Sequence, residues 1–180
     1  MSLTESEYTV LRHTIATRGT ARMTLLPVTL IGWALVAGTV TVLGSQPLTA
    51  LLSLAVLAGG FEAIHALHVG VERIGRYLQV FYESTPDGPM WETTAMSVGP
   101  ALPGGGVDPL FTVVFAFATA LNFIPAILFA STTLELVVIG LLHCALLTRL
   151  VRARGAAIRQ RTVDLESYRA VKVRMSNGKE

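Results

Sequence analysis

The chain has 180 residues, of which 52% are hydrophobic and only 14% charged, against about 25% charged residues in soluble domains. Its mean hydropathy is +0.57 and its formal net charge +2, which excludes an ordinary soluble domain and gives no basis for nucleic-acid binding. The small net charge conceals a strict segregation: all 14 Lys and Arg fall in residues 12–22, in residues 73–76, and from residue 149 onward.

Residues 1–22 form a polar segment. Thr4-x-x-Glu7 has capping-box spacing, and Tyr8, Leu11 and Ile15 recur at helical spacing opposite Arg12. These features predict a short helix over 4–18, lying at a membrane surface ahead of the first apolar stretch. The polar lead is too long for the basic region of a cleavable signal peptide, and a second apolar helix follows at once.

Residues 23–61 carry no charge, and residues 109–148 carry only Glu135. Each tract would be roughly 60 Å long as one straight helix, against a hydrocarbon core of about 30 Å. Each must therefore fold back. The first breaks at Gly44-Ser45-Gln46-Pro47, with Pro47 suited to the first turn of a new helix. The second breaks at Ser131-Thr132-Thr133, where Thr132 and Glu135 have capping-box spacing. The expected fold is an all-α integral membrane protein with four transmembrane helices, over 24–43, 48–67, 110–130 and 134–151, arranged as two hairpins.

The second helix is expected to continue beyond the bilayer. At about 100° per residue, Glu62, His65, His68, Glu72, Arg73, Arg76, Gln79 and Glu83 fall within an arc of roughly 140°. Ile64, Leu67, Val71, Ile74, Leu78 and Phe81 line the opposite side in a near-heptad seam. Residues 84–108 then turn to Pro and Gly and are expected to be a loop, with Trp91 and its neighbours dipping into the headgroup region. Gly104-Gly105-Gly106 lacks the GK[ST] and the preceding strand of a phosphate loop. Asp108, with Pro109 after it, reads as the cap and first position of the third span. From Arg149 to the end there are nine basic and three acidic residues, a basic tail suited to anionic lipid.

The expected organisation is an N-terminal segment (1–22), a first transmembrane hairpin (23–71), an amphipathic helix and Pro/Gly-rich loop (72–108), a second hairpin (109–151) and a basic tail (152–180). Cytoplasmic flanks are enriched in Lys and Arg, and neither turn around Ser45 or Thr132 carries any. A cell-membrane protein with both termini cytoplasmic follows. Arg outnumbers Lys twelve to two, a bias expected of a GC-rich bacterial genome.

Ionisable residues inside spans are functional candidates by default. Glu62 and His65 lie one turn apart near the inner end of the second span, and His143 lies near the middle of the fourth. With His68, Glu72 and Arg76 the first two form a candidate functional stripe; Asn122 and His143 are candidate intramembrane polar residues. Glu62-x-x-His65 is half of a di-iron element, but the second element and further carboxylates are missing. His65 and His143 differ in depth too far for two haem ligands, and no i, i+4 His pair supports zinc. No catalytic residue, cofactor or metal is predicted. Cys144, mid-helix, is expected to be buried and inert.

The leading expectation is a non-enzymatic oligomeric scaffold or accessory subunit of a membrane complex. Its partners would be the bilayer, anionic lipid at the basic tail, and further copies of the chain. These would pack through Ala55, Gly59 and Ala63, a small-xxx-small series, and through the apolar seam of the second helix. The alternatives are a small oligomeric channel or transporter lined by the stripe from Glu62 to Glu83, and a membrane-bound redox or metal enzyme. Membrane shaping by two wedge-like hairpins rests on layout alone, which is similar to that of reticulon-type proteins.

Overall fold

The computed structural model describes residues 3–42, 47–83, 89–98, 108–130 and 132–177, and all of its regular structure there is helical. Helix α1 spans Leu3–Val42; after a 3-10 turn at Pro47–Thr49 come α2 (Ala50–Phe81), α3 (Trp91–Val98), α4 (Thr112–Phe129) and α5 (Thr133–Asn177). Helices α1, α2, α4 and α5 are each long and apolar enough to cross a membrane. The chain divides into two compact units. An apolar unit comprises Arg22–Ala66 and Asp108–Arg154; a polar unit comprises Met1–Ala21, Leu67–Val107 and Gly155–Glu180.

The helix boundaries follow from local chemistry. Pro47 opens the turn that leads into α2, as its fixed φ allows. The Thr132 amide donates to the Glu135 carboxylate and the Glu135 amide donates to the Thr132 hydroxyl, both at 3.2 Å. This is the expected reciprocal cap at the start of α5. Before α4, Asp108 accepts from the amides of Leu110 at 3.1 Å and Thr112 at 2.7 Å. The helix itself starts at Thr112 rather than at Pro109, because Phe111 takes a left-handed conformation with φ 52°.

In the apolar unit the core is built from Leu54, Leu57, Phe61 and Ile64 of α2, Phe115 and Ala118 of α4, and Leu146, Leu150 and Ala153 of α5. Leu25, Leu26, Leu30 and Trp33 bring the inner face of α1 against it. Phe61 and Phe115 meet edge to face with centroids 5.5 Å apart. Helices α1 and α2 approach closely at Gly60, where an added Cβ would lie 2.2 Å from the Thr29 methyl. The opposite faces carry exposed Leu35, Phe117, Leu128 and Leu141, an exterior suited to hydrocarbon and costly in water.

The polar unit gathers residues of α1, α2 and α5 with α3. All four tyrosines of the chain meet here: Tyr8 against Tyr82, and Tyr77 against Tyr82, Tyr168 and Phe81. The Tyr77 hydroxyl donates to Glu7 at 3.0 Å. Hydrogen bonds from Tyr82 and Tyr77 hold the Glu7 carboxyl below the usual glutamate value. Lys172 of α5 donates to the Val80 carbonyl at 2.8 Å, satisfying an acceptor in the last turn of α2.

Two sequence expectations are corrected. Residues 4–18 are not a separate surface helix; they are the first part of α1, continuous with the apolar stretch. The segment 84–108 is not loop throughout, since it contains α3; its triple glycine lies outside the described residues. Of the apolar seam of α2, Ile64 and Leu78 are fully buried within the chain, while Leu67, Val71, Ile74 and Phe81 are partly exposed.

Candidate functional site

Asn122, on α4, is the centre of the apolar unit's polar chemistry. Its side-chain oxygen accepts from the Trp33 indole N–H of α1 at 3.0 Å and from the Ser53 hydroxyl of α2 at 2.6 Å. Its amide nitrogen donates to the Ala50 carbonyl of α2 at 3.0 Å and to His143 Nε2 of α5 at 3.0 Å. One asparagine thus joins all four apolar helices, with its two donors and two acceptor positions in use. Asn122, Ser53 and His143 are all buried.

The partners also fix the histidine. Nε2 receives a hydrogen bond and therefore carries no proton; Nδ1, 2.8 Å from the Ile139 carbonyl, carries it instead. His143 is assigned as the neutral Nδ1–H tautomer by this network. Both ring nitrogens are engaged, so metal ligation at Nε2 would first have to displace the Asn122 amide. Beside the network lies a cleft of ≈ 70 Å³ lined by Trp33, Pro47, Ser53, Asn122, Pro125 and Phe129 among others. That is room for a few waters.

Glu62 and His65 are brought together with a partner not singled out from sequence. Arg149 Nε lies 2.8 Å from the Glu62 carboxylate, one Nη contacts His65 Nδ1 at 3.4 Å, and the guanidinium stands over the Phe61 ring. The pair is half-exposed, which keeps its contribution within about 1 kcal/mol. Cys144 is exposed on α5 rather than buried: it faces away from the neighbouring helices.

The remaining members of the stripe belong to the polar unit, and they do not form one solvent-facing row. His68 and Arg76 are buried, and Arg76 pairs with Glu72 one turn away. Glu83, only 5% exposed, accepts from the amides of Glu92 at 2.6 Å and Thr93 at 2.7 Å and from the Thr93 hydroxyl at 2.8 Å. Its carboxylate therefore caps the amino end of α3. Arg12 of α1 pairs with Glu92; burial raises the Glu92 pKa, and the Arg12 charge only partly opposes this. Among the described residues no three His, Cys, Asp or Glu side chains converge as a metal-binding group.

The fold defines an all-helical protein with four helices long and apolar enough to span a membrane. Beyond that class, comparison of the chain with protein-family models, curated proteins and solved structures found no match.

Proposed function

We propose that the protein is a non-enzymatic, homo-oligomeric scaffold or accessory subunit of a membrane complex. It would reside in the cell membrane as a multi-pass protein with both termini cytoplasmic. The observation that carries this reading is where the charged stripe goes. Glu62 is engaged by Arg149, Glu72 by Arg76, and Glu83 by the amino end of α3. A channel needs such groups to line a path. Here Glu62 and Glu83 brace one helix against another, Glu72 is held by Arg76 within α2, and the Asn122 network ties helices together across the apolar unit. The alternatives of transport and of redox or metal chemistry draw no comparable support.

The assembly face is assigned to Ala55, Gly59 and Ala63. All three remain exposed in the single chain, and a Cβ added at Gly59 meets nothing within 4 Å. Small residues allow close helix approach between copies. In mild detergent the native protein is expected to run as an oligomer by light scattering, and Gly59→Leu as a monomer with unchanged helix content. A native monomer, or an oligomer indifferent to Gly59→Leu, would overturn this reading.

A further inference from the structure

The Asn122 network explains how the apolar helices are joined, but not why a cleft stays open beside it. That cleft lies within the apolar unit, lined by Trp33 and Ala37 of α1, Ser53 of α2, and Leu121, Pro125 and Phe129 of α4 among others. We propose that it binds the hydroxyl end of a neutral lipid alcohol, with the Leu121 carbonyl accepting from the hydroxyl and the chain leaving past Phe129.

The open hydrogen-bonding positions of the lining are acceptors. Pro125 lies inside α4 and has no N–H, so the Leu121 carbonyl one turn earlier has no donor at the usual position four residues on. In apolar surroundings such a carbonyl takes a donor from a neighbouring helix, a side chain or a small molecule. Among the described residues no side chain donates to it. Ser53, only 2% exposed, directs its one proton to Asn122 at 2.6 Å or to the Ala50 carbonyl at 3.0 Å, and no described residue donates to its oxygen. The neighbouring donors are committed: the Trp33 indole to Asn122, and the Asn122 amide to Ala50 and His143. A site with acceptors open and donors taken selects a hydroxyl over a ketone, an ester or an ether.

Charge, depth and size narrow the ligand further. No described residue of the lining is ionisable. Leu121 precedes the end of α4 at Phe129 by about 12 Å of helix rise. A charged or zwitterionic headgroup at that depth would lose its water and find no counter-charge, so the ligand is neutral. The cleft measures ≈ 70 Å³, about half the volume of a cavity that holds benzene. It takes the hydroxyl and the first few carbons, and the rest of the chain lies against the rim, where Leu121 is 39% and Phe129 62% exposed. The depth argument rests on the membrane placement proposed above; the hydrogen-bonding argument does not, and neither depends on oligomerisation.

The test compares farnesol with farnesyl methyl ether, which keeps the chain and removes the donor. The full-length protein in mild detergent carries Trp91→Phe, leaving Trp33 as its one tryptophan. Farnesol should shift the Trp33 emission saturably and raise the unfolding midpoint; the ether at the same mole fraction should do neither. Pro125→Ala returns an N–H to the Leu121 carbonyl and should weaken farnesol binding about fivefold or more, the loss of one hydrogen bond. Ala37→Leu fills the cleft and should abolish binding. The two variants act by different routes, so either decides the matter if the other fails to accumulate. Equal responses to farnesol and its ether would reveal unspecific partition, and a response to neither would leave water as the occupant. Saturable binding that survives either variant unchanged would place the ligand elsewhere. Each of these three results would overturn the proposal.

Discussion

Asn122 shows how a single polar residue joins four apolar helices. Lipid tails are as apolar as leucine, so association of spans depends on close packing and on hydrogen bonds between helices. Asn122→Leu keeps the volume but strands the Trp33 indole, the Ser53 hydroxyl and His143 Nε2. Each interhelical bond contributes about 0.6 kcal/mol on average in such proteins, so the variant should lose about 1–3 kcal/mol of stability with its helix content retained. Unfolding in mixed micelles measures this; an unchanged midpoint would assign the network no structural weight. Close packing is tested by two glycines. Gly60→Ala drives a methyl group into Thr29 and should cost about 1–3 kcal/mol, whereas Gly38→Ala, facing open space outside the proposed assembly face, should not destabilise. Asn122 and His143 were legible in the sequence because each interrupts an apolar tract. Trp33 and Ser53 were not, since their bonds to Asn122 cross 89 and 69 positions and nothing local encodes such a pairing.

The elements divide along the same line between local and distant causes. The cap at Thr132 and Glu135 lies within four residues and could be read directly. Helix α3 could not, because its cap is Glu83, at the end of another helix, and its flanks are rich in Pro and Gly. The unbroken course of α1 was also hidden, since the polar segment over 4–18 and the apolar stretch after it read as separate elements. The structure resolves this locally: the Thr9, Thr14 and Thr20 hydroxyls each donate to the carbonyl four residues back, at 2.9–3.1 Å, so these threonines are accommodated within the helix. For α3, Glu83→Gln removes an acceptor and the charge facing the helix's positive end. It should cost about 1–3 kcal/mol and speed hydrogen exchange across 91–98. Exchange as slow as in the native protein would show that α3 is held by other contacts. Glu92 sets the pH response of the same clamp. Its folded pKa is raised, so the folded chain binds a proton more tightly than the unfolded one. Its contribution to stability therefore rises as pH falls through the raised value toward the ordinary glutamate value near 4.3, and is lost again above it. Glu92→Gln should flatten that part of the stability profile; parallel native and variant profiles would contradict the assignment.

At the scale of the molecule, helix length separates the elements. By helix rise α4, with 18 residues, is about 27 Å long and matches a bilayer core. Helices α1, α2 and α5, of 40, 32 and 45 residues, run to about 60, 48 and 68 Å, longer than such a core. The excess is the amino end of α1 and the carboxyl ends of α2 and α5, which are gathered in the polar unit. Four successive crossings would place those three ends on one side. Arg12, Arg18, Arg73, Arg76 and the basic residues beyond 155 all belong to that unit, the observation behind the proposed cytoplasmic placement of those ends. Charge segregation was legible because it is a property of composition; the packing of the ends depends on aromatic contacts between distant positions, such as Tyr77 with Tyr168. The topology is tested by single cysteines in a Cys144→Ala background, required because the native thiol is exposed. Cysteines at Ser45 and Thr132 should react with an impermeant maleimide in intact cells, and those at Ser84 and Asn177 only after the membrane is opened. Reaction at Ser84 or Asn177 in intact cells would invert the orientation. Failure at both Ser45 and Thr132 would mean that the apolar helices stop short of the far face, and would return the two hairpins to the membrane-shaping alternative.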